Sequence, residues 1–95
     1  MAKRTESSEM ARGFAFLSDA TRLGILKALA AGPMNVTALC KALGLKQPAA
    51  SHHLGLLRMG RLVEGTRKGK SVVYTIDKAN LKALAAGLAK LTPKK

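Results

Sequence analysis

The sequence predicts a mostly α-helical chain with one small β-hairpin: about five helices and a two-stranded projection, in a single domain over residues 1–95. Three observations predict it. Apolar residues recur at helical spacing in several stretches, each with a capping residue before it or a glycine stop after it. The period changes to two only between Leu62 and Ile76. Finally, two helical stretches, one ending at Leu43 and the next opening at Lys46, are separated by Gly44 and Leu45 alone. Leu and Ala dominate the apolar content, and Phe14, Phe16 and Tyr74 are the only aromatic residues, which suits a small helical core.

Taken in order, Met1 to Ser7 are polar and read as a flexible arm, as do residues 92–95 at the other end. Ser8 is placed to cap a first helix, with Glu9 near its positive end and Met10, Phe14 and Leu17 as its apolar stripe. Ser18 or Asp19 caps a second helix. Its buried face is expected to be Leu23, Leu26 and Leu29 with Ile25 and Ala30, leaving Arg22 and Lys27 in solvent, and Gly32 and Pro33 end it. Asn35 caps a third helix from about Val36 to Leu43, with Leu39, Cys40 and Leu43 inward and Gly44 as its stop.

The stretch KQPAASHHLGLLRM, Lys46 to Met59, is the one the rest of the chain is arranged to present. Ala50, His53, Leu54 and Leu57 form an inward stripe, while Gln47, Ser51, His52, Gly55 and Arg58 fall on the other face. Pro48 occupies the first turn, where a missing N–H costs little. Lys46 is a poor N-cap, a role that a bound phosphate or water has to take over. Gly60 ends this helix. Leu62–Thr66 and Ser71–Ile76 then alternate as two strands joined by a basic turn of Arg67, Lys68, Gly69 and Lys70. Asp77 caps a last helix to about Leu91, with an apolar seam of Leu81, Leu84, Ala85, Leu88 and Leu91.

Two short helices joined by a tight glycine turn, the second with a small polar outer face, form a helix-turn-helix, and the hairpin that follows makes it a winged one. Short side chains allow close approach to a base-pair edge, and Gln, Ser and His supply donors and acceptors. Charge agrees with this reading. Seventeen Lys and Arg stand against five Asp and Glu, a formal charge of +12. Between Ala20 and Ile76 the only carboxylate is Glu64, against nine Lys and Arg residues. Such an excess favours a polyanion, and double-stranded DNA is the expected partner. The expected DNA contacts are Lys46, Gln47, Pro48, Ser51, His52 and Arg58 on the helix, with Arg67, Lys68 and Lys70 in the wing. The structural alternatives are an ordinary amphipathic surface helix and a solvated hairpin tip.

Other classes fare worse. There is no basic amphipathic helix with bulky aromatic anchors and no apolar run near a membrane span, so no membrane partner is expected. Met1 to Met10 lacks an apolar signal core, which places the protein in the cytoplasm. Cys40, the lone cysteine, reads as an inert helical thiol. His52 and His53 are adjacent, so they point about 100° apart on a helix and cannot converge on one ion. Without a nucleophile and base constellation, a carboxylate pair or a phosphate-binding glycine loop, neither an enzyme nor a cofactor is expected. The apolar stripes of the first and last helices point to a homodimer through Met10, Phe14, Leu81, Leu84 and Leu88, because two-fold symmetric DNA readers need two copies.

The order of elements and the wording of LSDATRLGILKALAAG (Leu17–Gly32), ALCKALGLKQPAASHHLGLLRMGRLV (Ala38–Val63) and RKGKSVVYTI (Arg67–Ile76) resemble the ArsR/SmtB family of small winged-helix repressors. The resemblance implies an obligate homodimer that binds a partly palindromic operator until a signal releases it. It would put Gln47, Ser51 and His52 at the groove and Arg67, Lys68 and Lys70 in the wing. The family's metal sites depart from pattern here. The positions of the arsenic-type thiolates read Asn35, Thr37 and Cys40, and the zinc-type Asp and His pairs on the last helix are not matched. A metal is therefore not expected at the usual sites, and the inducer, small-molecule or redox, stays open. The rival reading is an architectural DNA-binding module without sequence preference, or a protein-docking module using the last helix.

Overall fold

The computed structural model describes residues 6–91; the expected tail at 92–95 and most of the expected arm lie outside them. The element order is α1 (Glu6–Leu17), α2 (Ala20–Ala30), β1 (Met34–Asn35), α3 (Val36–Leu43), α4 (Gln47–Met59), β2 (Val63–Lys68), β3 (Ser71–Ile76) and α5 (Lys78–Ala89). The helix starts α2, α3 and α5 are fixed by side chains. Asp19, not Ser18, accepts from the Arg22 N–H, Asn35 accepts from Ala38, and Asp77 accepts from Asn80. The first helix begins ahead of Ser8, so Ser7 and Ser8 lie inside it rather than before it. Serine competes with a helix mainly in its interior; in the first turn the N–H groups have no intrahelical acceptor and a hydroxyl can serve them.

The sheet has three strands, in the order β1-β3-β2, where two were expected. The hairpin pairs Val63 with Ile76 through to Lys68 with Ser71, so Arg67 and Lys68 belong to β2 and the turn is only Gly69 and Lys70. Gly69 supplies the one positive φ, 63°, at the first central position, the type II′ pattern that suits strand twist. The added strand is two residues long, Met34 opposite Tyr74 and Asn35 opposite Val73. A pair of residues carries no legible period, and Asn35 already reads as a cap, so this strand could not be seen in advance.

The core gathers Ile25, Leu26 and Leu29 of α2, Leu39 of α3, Leu54 and Leu57 of α4, then Leu62, Val63 and Leu84. Five of these, Ile25, Leu39, Leu54, Leu57 and Leu62, are fully buried, each contributing about 2 kcal/mol of apolar burial. Leu23 is not among them: it is 47% exposed, and Ala30 is exposed as well. Nearly every side of α2 is apolar, so spacing alone could not tell its rim from its centre. The first and last helices pack within one subunit. A Cβ at Gly13 would stand 2.6 Å from Leu84 Cδ2, so the missing side chain is what admits Leu84 against α1. No helix among the described residues is long and apolar enough to cross a membrane.

Candidate nucleic-acid interface

The turn between α3 and α4 uses Gly44 at φ 67°, a left-handed position that glycine adopts without a steric penalty. The Leu45 N–H donates to the Cys40 carbonyl at 3.0 Å, closing the end of α3 and aiming the chain into α4. Pro48 lies in the first turn of α4, and Lys46 makes no side-chain cap. Ala50, Leu54 and Leu57 are fully buried, which fixes the rotation of α4 about its axis. As a direct consequence Gln47, Ser51, His52, Gly55 and Arg58 are all exposed on the opposite side, with Lys46 and Pro48 exposed at the N-terminal end.

His53 holds this rotation from the side. Its Nδ1 lies 3.2 Å from an Arg22 guanidinium nitrogen and 3.9 Å from Asp19 Oδ2. Arginine can only donate, so in that contact Nδ1 is the acceptor and the proton sits on Nε2. The Arg22 Nε–H also donates to the Phe16 carbonyl at 2.6 Å, at the end of α1. Arg22, expected in solvent, is thus partly buried and ties α1, α2 and α4 together. The Asp19 carboxyl is held below its ordinary value, chiefly by the hydrogen bond from the Arg22 backbone N–H, with desolvation opposing it and the Arg22 charge adding to it. The His52 and His53 rings meet edge to face at 5.5 Å, with His52 outermost.

The wing carries Arg67 and Lys68 on β2 and Lys70 in the turn, all exposed. Counting the whole central span, eight of its nine Lys and Arg residues are exposed, Arg22 being the exception. Glu64, also exposed, is its single carboxylate. The recognition face and wing therefore present donors and positive charge with almost no acid to repel a phosphate chain.

Gly60 ends α4, as the sequence predicts. Gly60 is in the right-handed region, φ −81°, and the left-handed residue is Arg61, φ 60°. Leu62 N–H donates to the Leu57 carbonyl at 2.9 Å and Arg61 N–H to the Arg58 carbonyl at 3.0 Å, a Schellman ending with arginine where glycine is usual. Gly60 is needed for space: a Cβ there would stand 2.5 Å from the Phe16 ring. The carbonyls freed by the turn are then capped by the start of α5. Asn80 Nδ2 donates to Gly60 O at 3.2 Å and Arg61 O at 2.8 Å, and the Asp77 N–H to Leu62 O at 2.9 Å. Neither Asn80 nor Arg61 carried a sequence signal, since a clamp between residues nineteen apart has no local spacing.

Of the residues expected at a two-fold interface, Leu84 is 8% exposed and used inside the subunit, and Met10 lies against Gly87 of α5. Phe14 and Leu81 are half-buried, whereas Leu88 is 54% and Leu91 66% exposed. Among the described residues no three His, Cys, Asp or Glu side chains are grouped to hold a metal ion.

Comparison with known proteins places this architecture. The family model for bacterial regulatory proteins of the arsR family matches residues 19–65, from the cap of α2 into the wing. The transcriptional regulator NmtR of Mycobacterium tuberculosis is 41% identical over 70 residues, covering 74% of this chain and 58% of NmtR, so the chain spans little more than half the length of that relative. Among solved structures, an ArsR-like transcriptional regulator from Rhodococcus sp. RHA1 superposes with a TM-score of 0.81 at 32% identity, covering 90% of this chain and 80% of that one. A homodimeric winged helix-turn-helix DNA-binding domain from Mycobacterium bovis, a possible ArsR-family regulator, gives a TM-score of 0.74 at 34% identity, covering 95% and 91% of the two chains. The chain thus has a winged helix-turn-helix fold and belongs to the arsR family of bacterial regulatory proteins.

Proposed function

We propose that the chain is one subunit of a cytoplasmic homodimeric repressor that reads double-stranded DNA with α4 and its wing. The observation that carries this is the face of α4: the burial of Ala50, Leu54 and Leu57 turns Gln47, Ser51 and His52 outward together, beside an exposed basic hairpin. Gln47, Ser51 and His52 are assigned to base edges. Lys46, Arg58, Arg67, Lys68 and Lys70 are assigned to phosphates, and the uncapped N-terminus of α4 beside Pro48 to a phosphate oxygen. Release from DNA is assigned to a signal other than a metal at the positions its relatives use, because only Cys40 of the three thiolate positions is a cysteine.

The dimeric reading draws on the M. bovis homodimer and on the exposed Leu88 and Leu91 of this chain. The test is selection of bound sequences from a random duplex pool at about 150 mM salt, where nonspecific binding is weakened. An enriched inverted repeat with half-sites about one helical turn apart is the expected result. Tight binding at low salt without an enriched motif would replace the repressor with an architectural DNA-binding role.

A further inference from the structure

A cavity of about 380 Å³ lies where α1, the end of α4 and the start of α5 meet. Its size falls in the range of small-molecule sites. Two guanidinium groups line it, Arg12 from α1 and Arg61 from the turn after α4, with Glu9 as the one carboxylate. Neither arginine has an ion-pair partner among the described residues. Phe16, Met59 and Leu84 form apolar wall, and Met59 is 72% exposed although it is a large hydrophobe. The site therefore holds a surplus of positive charge beside an apolar surface.

Arg61 gives the second, independent observation. Its backbone sits in the left-handed region, where glycine or asparagine is favoured and arginine is costly. A strained residue of this kind persists where the surrounding structure holds it, and such residues cluster at functional sites. The strain is not needed to end α4, since glycine would make the same Schellman turn more easily. What arginine adds is a guanidinium in the cavity. Of the apolar seam of α5 only Leu84 lines this cavity, and it is 8% exposed, whereas Leu88, one turn further along the same stripe, is 54% exposed.

We propose that this cavity binds a small organic monoanion, a carboxylate on a compact apolar body, with Arg12 and Arg61 holding the carboxylate and Phe16, Met59 and Leu84 covering the body. Two guanidiniums without an ion-pair partner among the described residues keep the site cationic, and guanidinium matches carboxylate in paired hydrogen bonds. The cavity also adjoins the Asn80 clamp on the Gly60 and Arg61 carbonyls. A ligand drawing on Arg61 thereby acts on the end of α4, which makes the site regulatory; that second step rests on the DNA-binding reading, whereas binding itself does not.

The probe is benzoate, titrated into the full ¹⁵N-labelled chain without DNA and followed by amide chemical shifts. Saturable shifts are expected at Gly13, Gly60, Arg61 and the Asn80 side-chain amide, with a dissociation constant on the order of 1 mM for so small a probe. Arg61→Gly and Arg12→Gln should each weaken binding by about tenfold, with Lys82→Gln as the control for general charge loss. Because glycine suits the Arg61 backbone, that variant should melt at the same temperature or higher, which separates a lost ligand from a lost fold. Benzyl alcohol, which has the body without the charge, and inorganic phosphate, which has charge without the body, should bind about tenfold more weakly than benzoate. Shifts confined to α4 and the wing, equal binding of phosphate, or undiminished binding by Arg61→Gly would overturn the site while leaving the DNA reading intact. With a selected duplex in hand, benzoate should change DNA affinity about threefold or more in the wild type and not in Arg61→Gly; no change would overturn the regulatory step alone.

Discussion

Arg22 is the residue on which three elements converge, since it reaches the end of α1 through the Phe16 carbonyl and α4 through His53. Removing it strands a partly buried carbonyl and an imidazole acceptor at once. Arg22→Ala is expected to cost about 1–3 kcal/mol in urea unfolding and also to weaken DNA binding, because His53 sets the side-to-side placement of α4. Arg22→Lys should recover little, as one ammonium cannot span both acceptors. Asp19 adds a pH dependence. Its folded carboxyl titrates below its unfolded one, so its contribution is present above the unfolded value and is lost as pH falls through the folded one. An acid titration of thermal stability should therefore show a falling limb below the ordinary aspartate range. That limb should flatten in Asp19→Asn, which keeps a capping oxygen for the Arg22 N–H but no longer titrates; an unchanged limb would assign the acid sensitivity to other carboxylates.

At the scale of elements, α4 and its two ends decide what the fold presents. Ser51→Ala and His52→Ala are expected to reduce the preference for a selected operator over random DNA by about 1–3 kcal/mol, whereas Lys68→Ala should weaken both alike. Equal losses on both DNAs for the two helix variants would remove Ser51 and His52 from base reading. At the C-terminal end, Gly60→Ala should destabilise by about 1–3 kcal/mol because its Cβ meets the Phe16 ring. The rotation of α4 was legible in the sequence because Ala50, Leu54 and Leu57 are apolar among polar neighbours, and spacing then leaves one solution. The caps Asn35 and Asp77 were legible for a similar reason, their chemistry being local. What escaped was set by contacts distant in sequence. Arg22 looks like any solvated helix residue until α4 arrives beside it. Gly60 ends the helix as expected, yet it is glycine for the sake of Phe16, and the left-handed turn falls on Arg61. A strand of two residues, β1, exists only because β3 offers it an edge.

For the whole molecule, the question is which apolar surface one subunit keeps and which it shares. The spacing of α5 made Leu84 and Leu88 look equivalent, but the subunit distinguishes them. Leu84 is buried against Gly13, whereas Leu88, one turn further along the same stripe, is half exposed. A charge at each position should therefore fail differently. Leu84→Glu places a carboxylate in the subunit core and is expected to unfold the protein. Leu88→Glu leaves the subunit core intact, and it should yield folded monomers in sedimentation with a helical circular dichroism spectrum like that of the wild type. A Leu88→Glu protein that remains dimeric would move the two-fold contact off this stripe. The same variant reports on how the positive field is used. Two subunits neutralising about ten phosphates give a slope near −9 for log K against log salt. A monomer meets about half of those phosphates, so its slope should fall to about −4 or −5 and its preference for an inverted repeat should vanish. A monomer that kept both the steep slope and the preference would show that one subunit suffices to read the site.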